Sequence, residues 1–230
     1  MGIETVFFDV GDTLVFRRES VPATVVRVCG ELGIAAEAPP DINLRIAEYY
    51  HANRREFFTA EGIHRFVEIY LRFILSQIGA AEVSLGDFDR IYDEVDYIGS
   101  RHYELFPETL EALRAAREGF ARIAVVSNWN VYLEKFLENM GLLKWFEFVI
   151  ISDVVGSWKP DPRIFQVALG CAGVSADTCC YIGNSYGEDV VGARAAGITP
   201  LLIARNGAPA ADCPSFRNLR DAVDAAMALR

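Results

Sequence analysis

Val6-Phe7-Phe8-Asp9-Val10-Gly11-Asp12-Thr13-Leu14 is the stretch that decides the fold of this chain. Three apolar residues in a row, followed closely by a glycine, predict a short buried strand of a parallel sheet. A carboxylate stands at the end of that run. Burying a polar group without partners costs about 2–7 kcal/mol. Asp9 is therefore expected at the carboxyl edge of the sheet, where open α/β sheets hold their ligands. Gly11 and Asp12 break the strand and turn the chain. Taken alone, the stretch also fits a strand closed by an ordinary Asp-Gly turn, because both residues favour turns for reasons unrelated to chemistry.

A length of 230 residues suits one α/β domain with an insertion, or two modest domains. An apolar fraction of 52% is enough for a packed core. Lys and Arg number 22 against 32 Asp and Glu, a net charge of −10. No basic patch emerges, so nucleic acid and anionic membrane are poor partners. An acidic protein that handles an anionic substrate must gather positive charge locally. Cys29, Cys171, Cys179, Cys180 and Cys213 form no C-x-x-C, and their odd number signals neither a zinc site nor a disulfide framework. They read as buried thiols in a reducing compartment. Glu4 precedes the first apolar run, no basic leader is visible, and no run is long enough to span a bilayer. A soluble cytoplasmic protein is the expectation.

After Leu14 the pattern turns helical for about ninety residues. Val21, Val25, Val28 and Leu32 make one stripe, ended by Gly33. Asp41 can cap a second helix with Ile42, Ile46, Tyr49, Tyr50 and Phe57. Ile63, Phe66, Val67, Tyr70, Leu71, Ile74 and Ile78 mark a third, and Phe88, Ile91, Tyr92, Val95 and Ile98 a fourth. Four helices without a strand between them read as an inserted all-α subdomain. From Pro107 helices and strands alternate. Strands are expected at Ile123–Val126, Phe148–Ile151, Cys180–Ile182 and Ile198–Ile203. Helices are expected from Pro107 to Gly119, from an Asn130 cap to Gly141, from Asp161 to Gly173, over Asp189–Ala196 and over Leu219–Leu229. That alternation predicts a doubly wound parallel, Rossmann-like α/β sheet. The expected division is a core of 1–16 and 104–230 and a helical insert of 17–103.

Polar residues then gather at the strand ends: Asp9, Ser127-Asn128, Ser157-Trp158-Lys159-Pro160-Asp161, and Gly183-Asn184-Ser185-Tyr186-Gly187-Glu188-Asp189. In a parallel sheet these ends share one side, so Asp9, Ser127, Lys159, Asn184 and Asp189 can meet in one crevice. Acid, hydroxyl, ammonium, amide and acid are the parts needed to hold a divalent ion and a phosphoryl group. Separately, Ser127 could cap a turn, Lys159 could be solvated and Asp189 could be a helix N-cap. FFDVGDTL, VVSN, KPDPRIF and GNSYGED, in that order, resemble the four motifs of the haloacid dehalogenase (HAD) superfamily, with a helical cap between the first two. The resemblance covers the whole chain.

The resemblance implies a hydrolase in which Asp9 attacks phosphorus and forms an aspartyl-phosphate. It implies that Lys159 supplies a fixed positive charge, and that Ser127 donates to a phosphoryl oxygen. Mg²⁺ would be held by Asp9, the carbonyl of Gly11, Asn184 and Asp189. Thr13 and Asn128 would support the loops and the substrate. The helical insert would close over the site and choose the substrate, a small phosphorylated metabolite. Arg17, Arg18, His51, Arg54, Arg55, His64 and Arg65 belong to that insert, and some of them could contact an anion. Tyr49, Tyr50, Phe57, Phe58, Tyr70 and Phe73 read as its core. A monomer or homodimer is expected.

Two positions depart from the family pattern. Gly11 stands where the phosphatase branch carries an Asp acid/base, with Asp12 one place later, free to replace it or merely to stabilise the turn. Asn184 stands where the fourth motif usually has Asp, which weakens the metal site. Three readings follow: a Mg²⁺-dependent phosphatase, a metal-free 2-haloacid dehalogenase, or a weakly active or non-catalytic phosphate-binding protein.

Overall fold

The computed structural model describes residues 2–53, 59–205, 207 and 212–230. Its first strand is β1 (Thr5–Phe8), buried throughout. In chain order there follow β2 (Val15–Arg17), α1 (Val21–Glu31), α2 (Ile42–Asn53), α3 (Ala60–Gln77), α4 (Leu85–Val95), β3 (Tyr103–Leu105), α5 (Thr109–Gly119) and β4 (Arg122–Ser127). Next come α6 (Leu133–Asn139), β5 (Val149–Ile151), α7 (Ser152–Val155), α8 (Pro162–Ala172), β6 (Cys179–Gly183), α9 (Val191–Ala195), β7 (Thr199–Ile203), β8 (Ser215–Phe216) and α10 (Leu219–Met227).

The main sheet has the order β5-β4-β1-β6-β7-β8, and its pairings are all parallel. This is the doubly wound α/β architecture expected from the alternation of strands and helices. Side chains alternate across β1 and build two cores. Val6 and Phe8 join Leu113 and Ala116 of α5 and Leu219 and Val223 of α10. Phe7 joins Ile164, Phe165 and Ala168 of α8 on the opposite face. Each fully buried Val, Leu, Ile or Phe contributes roughly 1.5–3 kcal/mol. Phe8 lies level with Val125 and Ile182, and the Asp9 amide donates to the Ile182 carbonyl at 2.9 Å. That register puts Asp9 at the edge where β4 and β6 also end.

Several local expectations are corrected. Leu14 is not followed directly by helix: β2 pairs with β3 in a separate two-stranded ribbon, and three residues are too few to show a period. The two-residue β8 escapes detection for the same reason. Asp189 is not an N-cap. A π-type turn over Tyr186–Val190 precedes α9, and Ser185 caps it. Ser185 Oγ accepts from the Glu188 amide at 3.2 Å while Asp189 Oδ2 accepts from the Ser185 amide at 2.8 Å, a reciprocal closure. Asn130 accepts from the Tyr132 amide at 3.0 Å, so it closes a turn ahead of α6. Cys171 is exposed, unlike the other four cysteines.

The chain divides into two compact units, Met1–Phe16 with Tyr103–Arg230, and Arg17–His102. The second holds α1–α4 around buried Val25, Val28, Phe66, Leu71, Ile74, Phe88 and Ile91. Within it Tyr49 stacks on Phe73 with centroids 4.0 Å apart, and Tyr50 meets Phe66 edge-on at 5.6 Å. Arg17 donates to the Glu19 carbonyl at 2.9 Å, and Arg18 donates to the Arg101 carbonyl at 3.1 Å. Arg54, Arg55, Phe57 and Phe58 lie outside the described residues. No helix among the described residues is long and apolar enough to cross a membrane.

Candidate active site

The carboxyl ends of the strands carry the site. Asp9 follows β1, Ser127 ends β4, Lys159 lies on the loop between α7 and α8, and Asn184 follows β6. Asp9, Ser127, Lys159 and Asp189 are all buried. Lys159 Nζ donates to Asp9 Oδ1 at 2.7 Å, to Asp189 Oδ1 at 2.6 Å and to Tyr181 Oη at 2.8 Å. The three protons of the ammonium are thereby matched to three acceptors. Ser127 Oγ donates to the same Asp9 Oδ1 at 2.8 Å. Among the described residues, Asp9 Oδ2 receives only a long contact from Thr13 Oγ1 at 3.3 Å, and that hydroxyl is equally far from Asn184 Oδ1. One oxygen of Asp9 is thus firmly held and the other is lightly engaged.

Two carboxylates share one ammonium, which leaves the buried trio one negative charge in excess. Burial works against the Lys159 charge, but Asp189 and Asp9 outweigh it and raise its pKa, so it stays protonated. Burial pushes the Asp189 carboxyl up; Lys159 opposes this and Asp9 adds to it.

Asn128 supports the loop rather than the crevice. Its Oδ1 accepts from the Lys159 amide at 2.8 Å, and its Nδ2 donates to the Lys159 carbonyl at 3.0 Å and to Glu188 Oε2 at 2.9 Å. The Lys159 backbone is therefore gripped on both sides. Tyr181, in the middle of β6, was not singled out from the sequence. Its hydroxyl takes the third Lys159 proton and donates to the Val126 carbonyl at 2.7 Å. Burial, then Asp189 and Asp9, push its pKa well up, so it remains a neutral donor. The available signal was a phenol inside an apolar strand, which needs a partner when buried.

Asp12 sits at φ 54°, in the left-handed region, and its amide donates to the Val15 carbonyl at 2.7 Å. With Asn184, Phe16, Phe106, Tyr186 and Arg205 it lines a cavity of about 620 Å³. Desolvation at that wall pushes its carboxyl up, Asp9 adds to this, and Arg205 opposes it. A Cβ on Gly11 would lie 3.4 Å from the Trp129 ring, so the indole closes the side into which a larger residue would project.

Arg205 and Glu108 were also not anticipated. Arg205 Nη1 donates to Glu108 Oε1 at 2.6 Å, and the same oxygen accepts from the Leu219 amide at 3.2 Å. Burial alone would raise the Glu108 carboxyl, but Arg205 and the backbone amides hold it below the ordinary glutamate value. Its folded pKa is the lower one. The pair therefore stabilises the fold above the unfolded-state pKa, and that contribution is lost as pH falls through the folded value. Glu108→Gln is expected to cost about 1.5–3 kcal/mol at pH 7, with the difference from wild type shrinking towards pH 3. Urea melts at the two pH values check this; an equal difference at both would contradict it.

The donor set suits a hard divalent ion. Asn184 Oδ1 faces the same Thr13 hydroxyl as Asp9 Oδ2, Asp189 engages Lys159 through Oδ1 and the Ser185 amide through Oδ2, and the side-chain acceptors gathered here are all oxygens. The excess negative charge of the trio favours a cation. Among the described residues no group of three or more His, Cys, Asp and Glu side chains is arranged to hold a metal.

Comparisons with known proteins agree with this architecture. A family model described as haloacid dehalogenase-like hydrolase matches residues 3–197. Haloacid dehalogenase-like hydrolase domain-containing protein 3 of Mus musculus is 30% identical over 207 residues, 86% of this chain and 80% of that protein. The Bos taurus protein of the same description is 39% identical over 109 residues, and the match spans 43% of it. A phosphoserine phosphatase from Thermus thermophilus is 36% identical over 110 residues, 47% of this chain and 44% of that protein. The crystal structure of a 2-haloacid dehalogenase from Pseudomonas syringae shares the fold, with TM-score 0.66, 22% identity and 98% of each chain covered.

Proposed function

We infer, for a chain that belongs to the haloacid dehalogenase-like hydrolase family, that it hydrolyses phosphate monoesters of small metabolites through a covalent aspartyl-phosphate on Asp9. The observation that carries this reading is the inequality of the two Asp9 oxygens. Ser127 and Lys159 hold Oδ1 at 2.8 and 2.7 Å, which fixes the rotamer and presents Oδ2 as the attacking atom. Oδ2 forms a bond to phosphorus while the ester P–O bond breaks and the alcohol departs. Water then attacks the same phosphorus, the bond to Asp9 breaks, and inorganic phosphate leaves. Lys159 offsets part of the charge that both steps bring in.

The departing alcohol needs a proton, and Gly11 has no side chain to give one. Asp12 is the group assigned to it, since its position at the cavity wall favours the protonated form. The proton released by the attacking water would return to Asp12. Asp9, Asn184, Asp189 and the Gly11 carbonyl would hold Mg²⁺, which when bound supplies the remaining positive charge on the phosphoryl oxygens. The helical unit Arg17–His102 is assigned substrate choice, by the resemblance alone. The phosphoserine phosphatase relationship supports the phosphatase branch over the dehalogenase one. The reading also takes a soluble monomer or homodimer, acting in the cytoplasm and without nucleic acid or membrane as partner.

Release of phosphate from p-nitrophenyl phosphate and acetyl phosphate, with Mg²⁺ and with EDTA, tests the assignment. Mg²⁺-dependent release is expected, faster from acetyl phosphate than from unactivated alkyl phosphates because its leaving group needs no proton. Chloride release from 2-chloropropionate that survives EDTA would replace the phosphatase with a dehalogenase. Silence in both assays would leave a phosphate-binding protein.

A further inference from the structure

We propose that Arg205 is a positioning residue for the nucleophile: from the end of β7 it grips the Thr13 carbonyl and so sets the hydroxyl that faces Asp9. The inference rests on the reading of Asp9 as the attacking group. Arg205 Nη2 donates to the Thr13 carbonyl at 3.0 Å. Its guanidinium lies 3.4 Å over the Phe106 ring, and Glu108 holds its other arm at 2.6 Å. Glu108 is itself tied to the start of α10 through the Leu219 amide. A planar fork restrained by an ion pair, a ring and a helix end is rigid in a way that a lone lysine is not.

What it restrains matters to the chemistry. The turn after Asp9 has one anchor in Val10, whose carbonyl accepts from the Leu14 amide at 2.9 Å, the Val15 amide at 3.2 Å and, at the long end, the Thr13 amide at 3.4 Å. Leu14 is held beyond that, its carbonyl accepting from Thr109 Oγ1 at 2.7 Å. The Thr13 peptide is held only weakly through its amide, and its carbonyl is held by Arg205. The Thr13 hydroxyl reaches Asp9 Oδ2 and Asn184 Oδ1 at 3.3 Å each, at the long end of hydrogen bonding. A small shift of the Thr13 peptide would break one contact and tighten the other. Among the described residues, Arg205 Nε is buried without a partner. A side chain placed only for stability would be expected to avoid that penalty.

Arg205→Gln, Arg205→Lys and Arg205→Ala in the full chain test the proposal. Arg205→Gln is expected to lower kcat for acetyl phosphate about 10–100-fold, the order seen for misplacement of a reacting group by an ångström. KM should change less than about twofold, since both arms of the guanidinium are taken by Glu108 and the Thr13 carbonyl. Millimolar guanidinium should restore part of the kcat of Arg205→Ala, and Arg205→Lys should fall between Gln and wild type. Assays are run well below each variant's melting temperature. A kcat equal to wild type, or a loss carried by KM, would overturn the proposal, as would guanidinium without effect. Should wild type release no phosphate, amide exchange separates the two failures. Faster exchange confined to Leu14 and Val15 in Arg205→Ala would sustain the grip on the turn and assign the failure to the phosphatase reading. Unchanged exchange there would overturn the grip as well.

Discussion

Asp9→Asn is expected to lower phosphate release by about 10⁴-fold or more, in line with removal of a nucleophile that works as part of a unit. The same variant should melt at the wild-type temperature or above it. The Asn carbonyl can still accept from Ser127 and Lys159, which now bond Asp9 Oδ1 at 2.8 and 2.7 Å. Meanwhile one of the two carboxylates around a single ammonium is gone, which relieves like-charge repulsion in a buried site. A steady-state assay paired with a thermal melt checks both halves. Residual activity within tenfold of wild type would remove Asp9 from the chemistry. A melting temperature lowered by many degrees would mean that the second carboxylate stabilises the trio, contrary to the charge count.

Lys159→Met is expected to be damaging in both respects. Activity should fall by about 10³-fold, comparable to removing a donor that stabilises developing charge. Stability at pH 7 should fall by about 3–5 kcal/mol, the cost of leaving a buried charge without its partner. The pH dependence gives this its signature. Without the ammonium, the buried Asp189 carboxyl loses the partner that opposes its desolvation, and its folded pKa rises further above the unfolded one. A group shifted that way favours the fold when protonated and opposes it as pH rises through the folded value. The stability deficit should therefore be largest at neutral pH and shrink as pH falls towards about 4, the unfolded carboxylate range. Adding Asp189→Asn to Lys159→Met should recover much of the stability and none of the activity. Urea denaturation from pH 4 to 7.5 measures this; a deficit independent of pH would show that the lost interaction is packing of the lysine stem.

The parts of this site that could be read from the sequence are those whose residue type conflicts with its surroundings. An Asp after Val6-Phe7-Phe8 and a Lys beside Pro160 demand polar partners, and the strand alternation places them at one edge. Tyr181 escaped because a tyrosine in a strand is ordinary and only its hydroxyl partners, Lys159 and Val126, reveal its use. Arg205 and Glu108 are 97 residues apart, and no local pattern links them; the pairing exists only once β7 and α5 are packed. The ribbon of β2 and β3 joins segments on either side of the whole helical unit, so neither strand carries its own signal. An N-cap role for Asp189 is open from the sequence because Asp189 does reach back to the turn before α9, but from inside it, with Ser185 at the start. Residue chemistry thus identified the strand-end groups, and the long-range supports around them required coordinates.

The central claim is that Asp9 becomes covalently phosphorylated. Borohydride reduction of the full chain, quenched during turnover of acetyl phosphate with Mg²⁺ and followed by peptide mass mapping, measures this directly. Conversion of residue 9, and of no other aspartate, to homoserine is the predicted result. An enzyme that turns over under the same conditions with Asp9 unmodified, or with the reduced residue elsewhere in the chain, would contradict it.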